Sequence, residues 1–96
     1  MKLNIIGRQL NVYDETKAMI EKKMSKLDKY FREELNPGAT VTLSRKRSVS
    51  TLEVTVNAGG TLFRSEVDSD DFRSAMDETI DKIERQIRKN KTRLAK

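Results

Sequence analysis

The chain has 96 residues, and its 20 Lys and Arg against 15 Asp and Glu give a net charge of +5 at pH 7. A chain of this length forms one domain, residues 1–96, with one modest core and no room for a deep cleft. The absence of Cys and His excludes disulfides, the usual zinc sites and histidine-based catalytic triads. We therefore expect no cofactor, no metal and no catalytic residue.

The basic balance favours nucleic acid or another anionic surface as the partner, with a plain basic soluble domain as the alternative. The chain shows no apolar stretch long enough for a signal peptide or for the roughly 20 residues of a membrane span. We therefore expect a cytoplasmic protein with no membrane partner and no small-molecule substrate.

The first third of the chain predicts a strand followed by a long helix. Residues 2–8 alternate loosely between apolar and polar, and Gly7 indicates a bend near the end of this strand. In residues 14–35 the apolar side chains recur every three or four positions, which indicates one helix: Ile20, Met24, Leu27, Phe31 and Leu35. Asp14 is expected to cap this helix, and Asn36-Pro37-Gly38 to end it.

Three further strands are predicted, at residues 39–47, 51–57 and 61–67. The first two alternate cleanly, and their core-facing side chains are expected to be Val41, Leu43, Leu52, Val54 and Val56. Residues 48–50 and 58–60 are predicted turns, the second of them containing two glycines. Leu62 and Phe63 compete for the core-facing position of the last strand, and the pattern does not decide between them.

The last predicted helix begins after Ser69 or Asp70, either of which can cap it, with acids crowding its first turn. Its apolar stripe has spacings of four, four, three and four: Phe72, Met76, Ile80, Ile83 and Ile87. Residues 66–81 carry a net charge of −6 and residues 82–96 a net charge of +6. The helix dipole explains a base or two in the last turn, at about 0.3–1 kcal/mol each, but not seven. Such a block needs water or a polyanion beside it.

The order β-α-β-β-β-α predicts an α+β domain, in which two helices pack side by side on one face of a four-stranded mixed sheet. On the first helix the side opposite the apolar stripe is basic, with Lys22, Lys26 and Lys29 on it and Lys23 on its flank. A solvated face with salt bridges explains either basic stripe alone. Because the two stripes should adjoin on neighbouring helices, we favour a surface that binds a polyanion.

The same residues resemble a known family. The element order, the stretch Lys-Leu-Asp-Lys-Tyr-Phe (26–31) and the stretch Asp-Lys-Ile-Glu-Arg-Gln-Ile-Arg-Lys (81–89) resemble the ribosome hibernation promoting factors, which include the ribosome-associated inhibitor A proteins. The resemblance covers essentially the whole chain. It implies a factor of stationary phase or stress that binds the small ribosomal subunit in the channel used by messenger RNA and by A-site and P-site transfer RNAs. Occupying that channel would inhibit translation.

The resemblance also implies which residues face the ribosomal RNA: Lys23, Lys26, Lys29, Lys82, Arg85, Lys89 and Lys91. Lys22 joins them from its place on the basic stripe, and Arg88 and Arg93 join them from charge alone. Long members of the family carry a C-terminal domain that pairs two ribosomes, so the chain is either a short member or the N-terminal module of a long one. The rival functions are a general structured-RNA-binding domain without ribosome specificity and a protein-binding module that uses the Thr- and Ser-rich sheet face.

Several residues near these stripes keep two interpretations or depart from the family pattern. Phe31 and Phe72 lie at core spacing, and Tyr30 is expected to be a half-buried structural residue rather than an RNA contact. Arg73 stands where the family often has an aromatic residue, and this extra base would alter contacts near the start of the second helix. Arg45-Lys46-Arg47 is either an anion contact or protection of a strand end.

Overall fold

The computed structural model describes residues 1–90 and has the predicted order of elements. Its sheet has the order β1-β2-β3-β4, with strands β1 (Lys2–Gly7), β2 (Gly38–Lys46), β3 (Val49–Ala58) and β4 (Thr61–Ser69). The strand β1 is parallel to β2, and the other two pairings are antiparallel. The mixed sheet follows from the connections, because short turns join antiparallel strands whereas a helical crossover joins parallel ones.

The helices α1 (Asp14–Met24) and α2 (Phe72–Lys89) contact each other, and α2 packs on β3 and β4. A single first helix over residues 14–35 is wrong, because α1 passes into a 3-10 helix, Ser25–Tyr30, and a separate 3-10 turn follows at Glu33–Leu35. Phe31 between them is extended, and its ring packs 6.1 Å from that of Phe63. An apolar spacing of three suits both helix types, so the stripe did not distinguish them.

The core lies between the sheet and the helices. It contains the apolar residues predicted from the strands and from both helical stripes, except that Leu35 and Phe72 are only half-buried. Phe63 is 3% exposed and Leu62 is 52% exposed, so Phe63 takes the core-facing position. The register explains this choice: Phe63 pairs with the inward-facing Val56, and paired residues of neighbouring strands point to the same face.

The helix caps differ from the prediction. Asp71, rather than Ser69 or Asp70, caps α2, and its Oδ1 atom accepts a hydrogen bond of 2.7 Å from the backbone N–H of Ser74. This hydrogen bonding lowers the pKa of Asp71 below its ordinary value of 3.8. The predicted acids therefore lie in and before the cap, and the first turn of α2 has none.

At the start of α1, Asp14 is the first helical residue, and Tyr13 occupies the N-cap position without a side-chain hydrogen bond. Asp14 as the cap is therefore wrong. The turn between β2 and β3 is also shorter than predicted: Arg47 and Ser48 form it alone, with Arg47 at a positive φ of 58°, and β3 already begins at Val49.

Candidate nucleic-acid interface

The first helical region, which comprises α1 and the 3-10 helix Ser25–Tyr30, runs in the same direction as α2, and polar contacts join the two along their shared edge. The Lys23 ammonium binds the Asp77 carboxylate, and the Tyr30 hydroxyl donates a hydrogen bond of 2.7 Å to Glu84 Oε2. Asp77 and Glu84 are two helical turns apart, so both lie on the edge of α2 that faces the first helical region.

The opposite edge of α2 is fixed to β4, the last strand of the sheet. The Gln86 side chain accepts a hydrogen bond of 3.1 Å from the Arg64 backbone N–H and donates one of 2.6 Å to the Arg64 carbonyl. These bonds satisfy backbone groups of β4, which is an edge strand of the sheet that residues 1–90 form. Contacts on both edges therefore set which face of α2 points outward.

Most of the predicted basic residues lie on this outward surface, which we call the two-helix surface. Its exposed members are Lys22, Lys26, Lys29, Lys82, Arg85, Arg88 and Lys89. Within residues 1–90, none of the seven takes part in an ion pair. Arg88 interacts with the Tyr30 hydroxyl, which sets it apart from the other six: Lys22, Lys26, Lys29, Lys82, Arg85 and Lys89. Acids stand four residues before Lys82 and Arg85, yet no pairs form with them. Among residues 1–90, the two-helix surface therefore shows no salt bridge at this helical spacing of the kind that would neutralise a solvated face.

Lys23 and Arg88 have a different setting from those six. The Lys23 side chain is 16% exposed and is held by Asp77, so its charge joins the helices rather than standing free. Tyr30 is half-buried, as expected, and the hydrogen bond to Glu84 together with burial raises its pKa above the ordinary 10.0. The nearby Arg88 opposes this shift. The Lys29 ammonium lies 5.3 Å from the centroid of the Tyr30 ring, which keeps that lysine close to the helix junction.

A shallow cavity of about 430 Å³ adds a residue that the stripe geometry missed. Its basic lining comes from Lys22, Lys23, Lys26 and Arg73, with Glu15 as an acid beside them. Arg73 lies one turn before Asp77 and therefore on the edge of α2 that faces α1. The spacing of four residues between Arg73 and Asp77 is the sequence feature that could have placed Arg73 on the two-helix surface.

Two of the predicted residues, Lys91 and Arg93, lie outside the described residues, so their place on the surface stays a prediction. Within residues 1–90, no group of three acidic side chains could hold a metal ion. No helix in the same part of the chain is long and apolar enough to cross a membrane.

The fold and this surface define a class of small α+β domains that expose two adjoining basic helices on one side of a sheet. Residues 3–95 match the family described as Sigma 54 modulation protein / S30EA ribosomal protein, and the chain belongs to this family, that of the ribosome hibernation promotion factors. Its members are ribosome-associated factors and not enzymes.

Two relatives show how much of the family's length is present. The chain is 41% identical over 97 residues to the ribosome hibernation promotion factor of Lactococcus lactis, covering 98% of the chain and 51% of the relative. It is 36% identical over 95 residues to that of Bacillus subtilis, covering 98% of the chain and 50% of the relative. The chain therefore spans about half the length of these relatives.

Solved structures agree with the fold. The crystal structure of the Protein Y N-terminal domain from Thermus thermophilus superposes with a TM-score of 0.81 at 32% identity, covering 91% of this chain and 96% of that one. A ribosomal subunit interface protein from Coxiella burnetii gives a TM-score of 0.80 at 17% identity, covering 93% and 96%. This second likeness shows the fold alone.

Proposed function

We propose that the chain is a ribosome-binding domain of a ribosome hibernation factor, acting in the cytoplasm in stationary phase or under stress. It binds the small ribosomal subunit through the two-helix surface and occupies the channel of messenger RNA and of A-site and P-site transfer RNAs, which inhibits translation. The observation that carries the proposal is the set of exposed basic side chains without ion pairs on two adjoining helices. The relatives are ribosome hibernation promotion factors, which supports the ribosome as the partner.

The proposed binding is electrostatic and steric. Each Lys or Arg that neutralises a phosphate releases condensed counterions, so the affinity falls as salt rises. Six such contacts predict a slope of log K against log salt of about −4 to −5. Folded ribosomal RNA offers its backbone and shape to such a surface, because the major groove of an A-form helix is too narrow for protein side chains to read.

The competing function is a general structured-RNA-binding domain, because the same charges would serve it. Co-sedimentation with purified small subunits across a salt series, with a short RNA duplex as competitor, separates the two. Hibernation binding predicts subunit binding that falls steeply with salt and is not competed by duplex at matched phosphate concentration. Equal binding to subunit and duplex would reduce the function to general RNA binding, and binding to neither would refute both.

The relatives are about twice as long as this chain, so two functions could belong to two different domains. We propose that this domain suffices for subunit binding and translational inhibition, whereas pairing of two ribosomes requires a further C-terminal domain in the long members. Sucrose-gradient sedimentation of ribosomes with the 96-residue chain should therefore show bound single ribosomes without paired ones. Paired ribosomes formed by this chain alone would contradict the division.

A further inference from the structure

A second cavity, of about 250 Å³, lies where the start of α1, the end of β2 and the start of α2 meet. Among its lining residues are Asn11, Tyr13, Arg45 and Phe72. Phe72 begins α2, so this cavity lies about 15 Å along the helix from Lys82. The cavity is therefore separate from the basic end of the two-helix surface, and the function proposed above does not use it.

Arg45 reaches this cavity with its guanidinium already positioned. The Nε–H donates a hydrogen bond of 3.2 Å to Ser50 Oγ, and Ser50 is 0% exposed. The Ser50 hydroxyl in turn points to the Asp70 carbonyl at 3.5 Å, which leaves its lone pairs for Arg45. On its other side the guanidinium carbon lies 5.0 Å from the centroid of the Phe72 ring. Two supports from different elements hold one side chain, which lowers the entropy that a ligand would have to remove.

The outer edge of the Arg45 guanidinium remains available. Within residues 1–90, Arg45 forms no ion pair, so no carboxylate oxygen lies within 4.0 Å of its guanidinium nitrogens. A guanidinium in this state binds a phosphate through parallel, charge-assisted hydrogen bonds. Its neighbours on the hairpin, Lys46 and Arg47, do not line this cavity, and they therefore serve as controls for charge alone.

Tyr13 supplies the second recognition element. It is 73% exposed although it is a large aromatic residue, and it makes no capping hydrogen bond as the N-cap of α1. Exposed aromatic rings next to arginine are the surfaces on which unstacked RNA bases pack. Asn11 adds an amide that can pair with a base edge. The volume lies below the roughly 300–1,000 Å³ of pockets for drug-sized ligands, which suits a single base.

We propose that this cavity binds one nucleotide of single-stranded RNA, with the base against Tyr13 and the phosphate on Arg45. The proposal rests on the function proposed above, since it makes RNA the partner of a second place on the domain. It assigns the anion-contact role to Arg45 alone within Arg45-Lys46-Arg47. An anion without a base would need only the arginine, and an apolar ligand only the ring; a nucleotide uses both.

Nuclear magnetic resonance titration of the intact chain with AMP tests the proposal, with adenosine and inorganic phosphate as separate probes. We expect saturable shifts around Tyr13 and Arg45 with AMP, and much weaker ones with either fragment. Arg45→Gln should weaken AMP binding about tenfold, as expected for loss of a charge-assisted contact, whereas Lys46→Gln, with the same loss of charge, should not. Tyr13→Ala should weaken binding as well and, because the ring is exposed, leave the fold intact.

Four outcomes would overturn the proposal: no saturable shift with AMP, equal effects of Arg45→Gln and Lys46→Gln, phosphate shifts that match those of AMP, or displacement of AMP by a polyglutamate peptide at similar concentration. Failure of the hibernation function would be visible separately. If the variant with Lys82→Glu and Arg85→Glu still bound subunits, the role of the two-helix surface in subunit binding would be refuted. AMP binding at the cavity would remain measurable. If that variant lost subunit binding but AMP did not bind the cavity of the unmodified chain, the nucleotide site would be refuted and the two-helix surface would be supported.

Discussion

The two helical regions that carry the basic residues are built differently. The helix α2 is continuous over 18 residues, has a side-chain cap at Asp71 and is fixed to β4 by Gln86. The first region starts without a side-chain cap, is regular for 11 residues and then tightens into 3-10 geometry from Ser25. The lysines of the first region lie on the same surface as the basic residues of α2. The first region has few local features, however, that would stabilise it as a helix by itself.

The contacts between the two regions explain how the weaker one is positioned. Lys23 and Tyr30 of the first region both bind acids of α2, and Phe31 packs on Phe63 of the sheet. Short helices are marginal in water, so tertiary contacts of this kind decide whether they form. We infer that α2 acts as the platform and that the first region is held against it.

The largest expected effect is on ribosome binding by α2. Lys82→Glu with Arg85→Glu reverses two exposed charges that take no part in the core, and should lower small-subunit binding at least about 100-fold at physiological salt with an unchanged fold. Co-sedimentation measures the binding, and circular dichroism checks the fold.

The matched control changes the same net charge on the other side of the molecule. Lys2 and Arg64 are exposed on strands of the sheet, and Lys2→Glu with Arg64→Glu should leave subunit binding within a few fold of the unmodified chain. An equal loss in both double variants would mean that net charge, rather than the two-helix surface, governs binding.

Removing the Tyr30 hydroxyl tests the contact that holds the first region. Tyr30→Phe keeps the ring but loses the hydrogen bond to Glu84, and should lower the free energy of unfolding by about 1 kcal/mol at pH 7. The folded-state pKa of Tyr30 is raised, so its stabilising contribution is complete below pH 10 and declines as pH rises through the folded-state pKa.

Urea unfolding of the unmodified chain and of Tyr30→Phe between pH 7 and pH 11 isolates this contribution, because the two proteins differ only in the Tyr30 hydroxyl. The difference in stability between the unmodified chain and Tyr30→Phe should shrink at the alkaline end. A difference that stays constant across this range would show that the Tyr30–Glu84 bond does not hold the first region.

Patterns with a fixed period predicted most of the fold and the exposure of several lysines of the candidate site. Alternation gave the inward-facing strand residues, and the stripe of α2 gave its core, because burial on one face imposes these periods. The exposure of Lys22, Lys26 and Lys82 followed as well, since the far side of a helix is determined once its buried side is known.

What the sequence did not predict depends on distances between elements. Lys23 lies on the flank of its helix, and only the position of α2 decides that Asp77 meets it. The 3-10 segment has the apolar spacing of an α-helix, and the choice of Phe63 over Leu62 needed the register of β4 against β3. Residues from α1, β2 and α2 line the cavity at Arg45, so no local sequence pattern could have predicted it.

A double-mutant cycle on Lys23 and Asp77 measures the other link between the regions. Both single substitutions to alanine should destabilise slightly, with a coupling free energy of about 0.2–1 kcal/mol, because the pair is partly exposed. The cycle of Lys22→Ala with Asp77→Ala provides the control and should show no coupling. Coupling of similar size in both cycles would indicate that Asp77 interacts with the general positive charge of the first region rather than with Lys23 specifically.

The N-caps are the remaining difference between the two helices: α2 has a side-chain cap at Asp71, and α1 has none at Tyr13. Asp71→Ala should lower the Tm by a few degrees at pH 7, because the Ser74 N–H of α2 loses its acceptor. The pKa of Asp71 is lowered by folding, so its contribution is present above pH 3.8 and is lost as pH falls through the folded-state pKa.

Tyr13→Ser makes the opposite change at α1, where it would add a hydroxyl acceptor to a helix that has no side-chain cap. It should raise stability by about 0.5–2 kcal/mol, and because a serine hydroxyl does not titrate, the gain should persist at pH 2. Thermal unfolding of both variants at pH 7 and pH 2 compares the helices directly. If Tyr13→Ser gave no gain at either pH, the missing cap would not be what distinguishes α1 from α2, and the 3-10 segment after Met24 would be left as the source of the asymmetry.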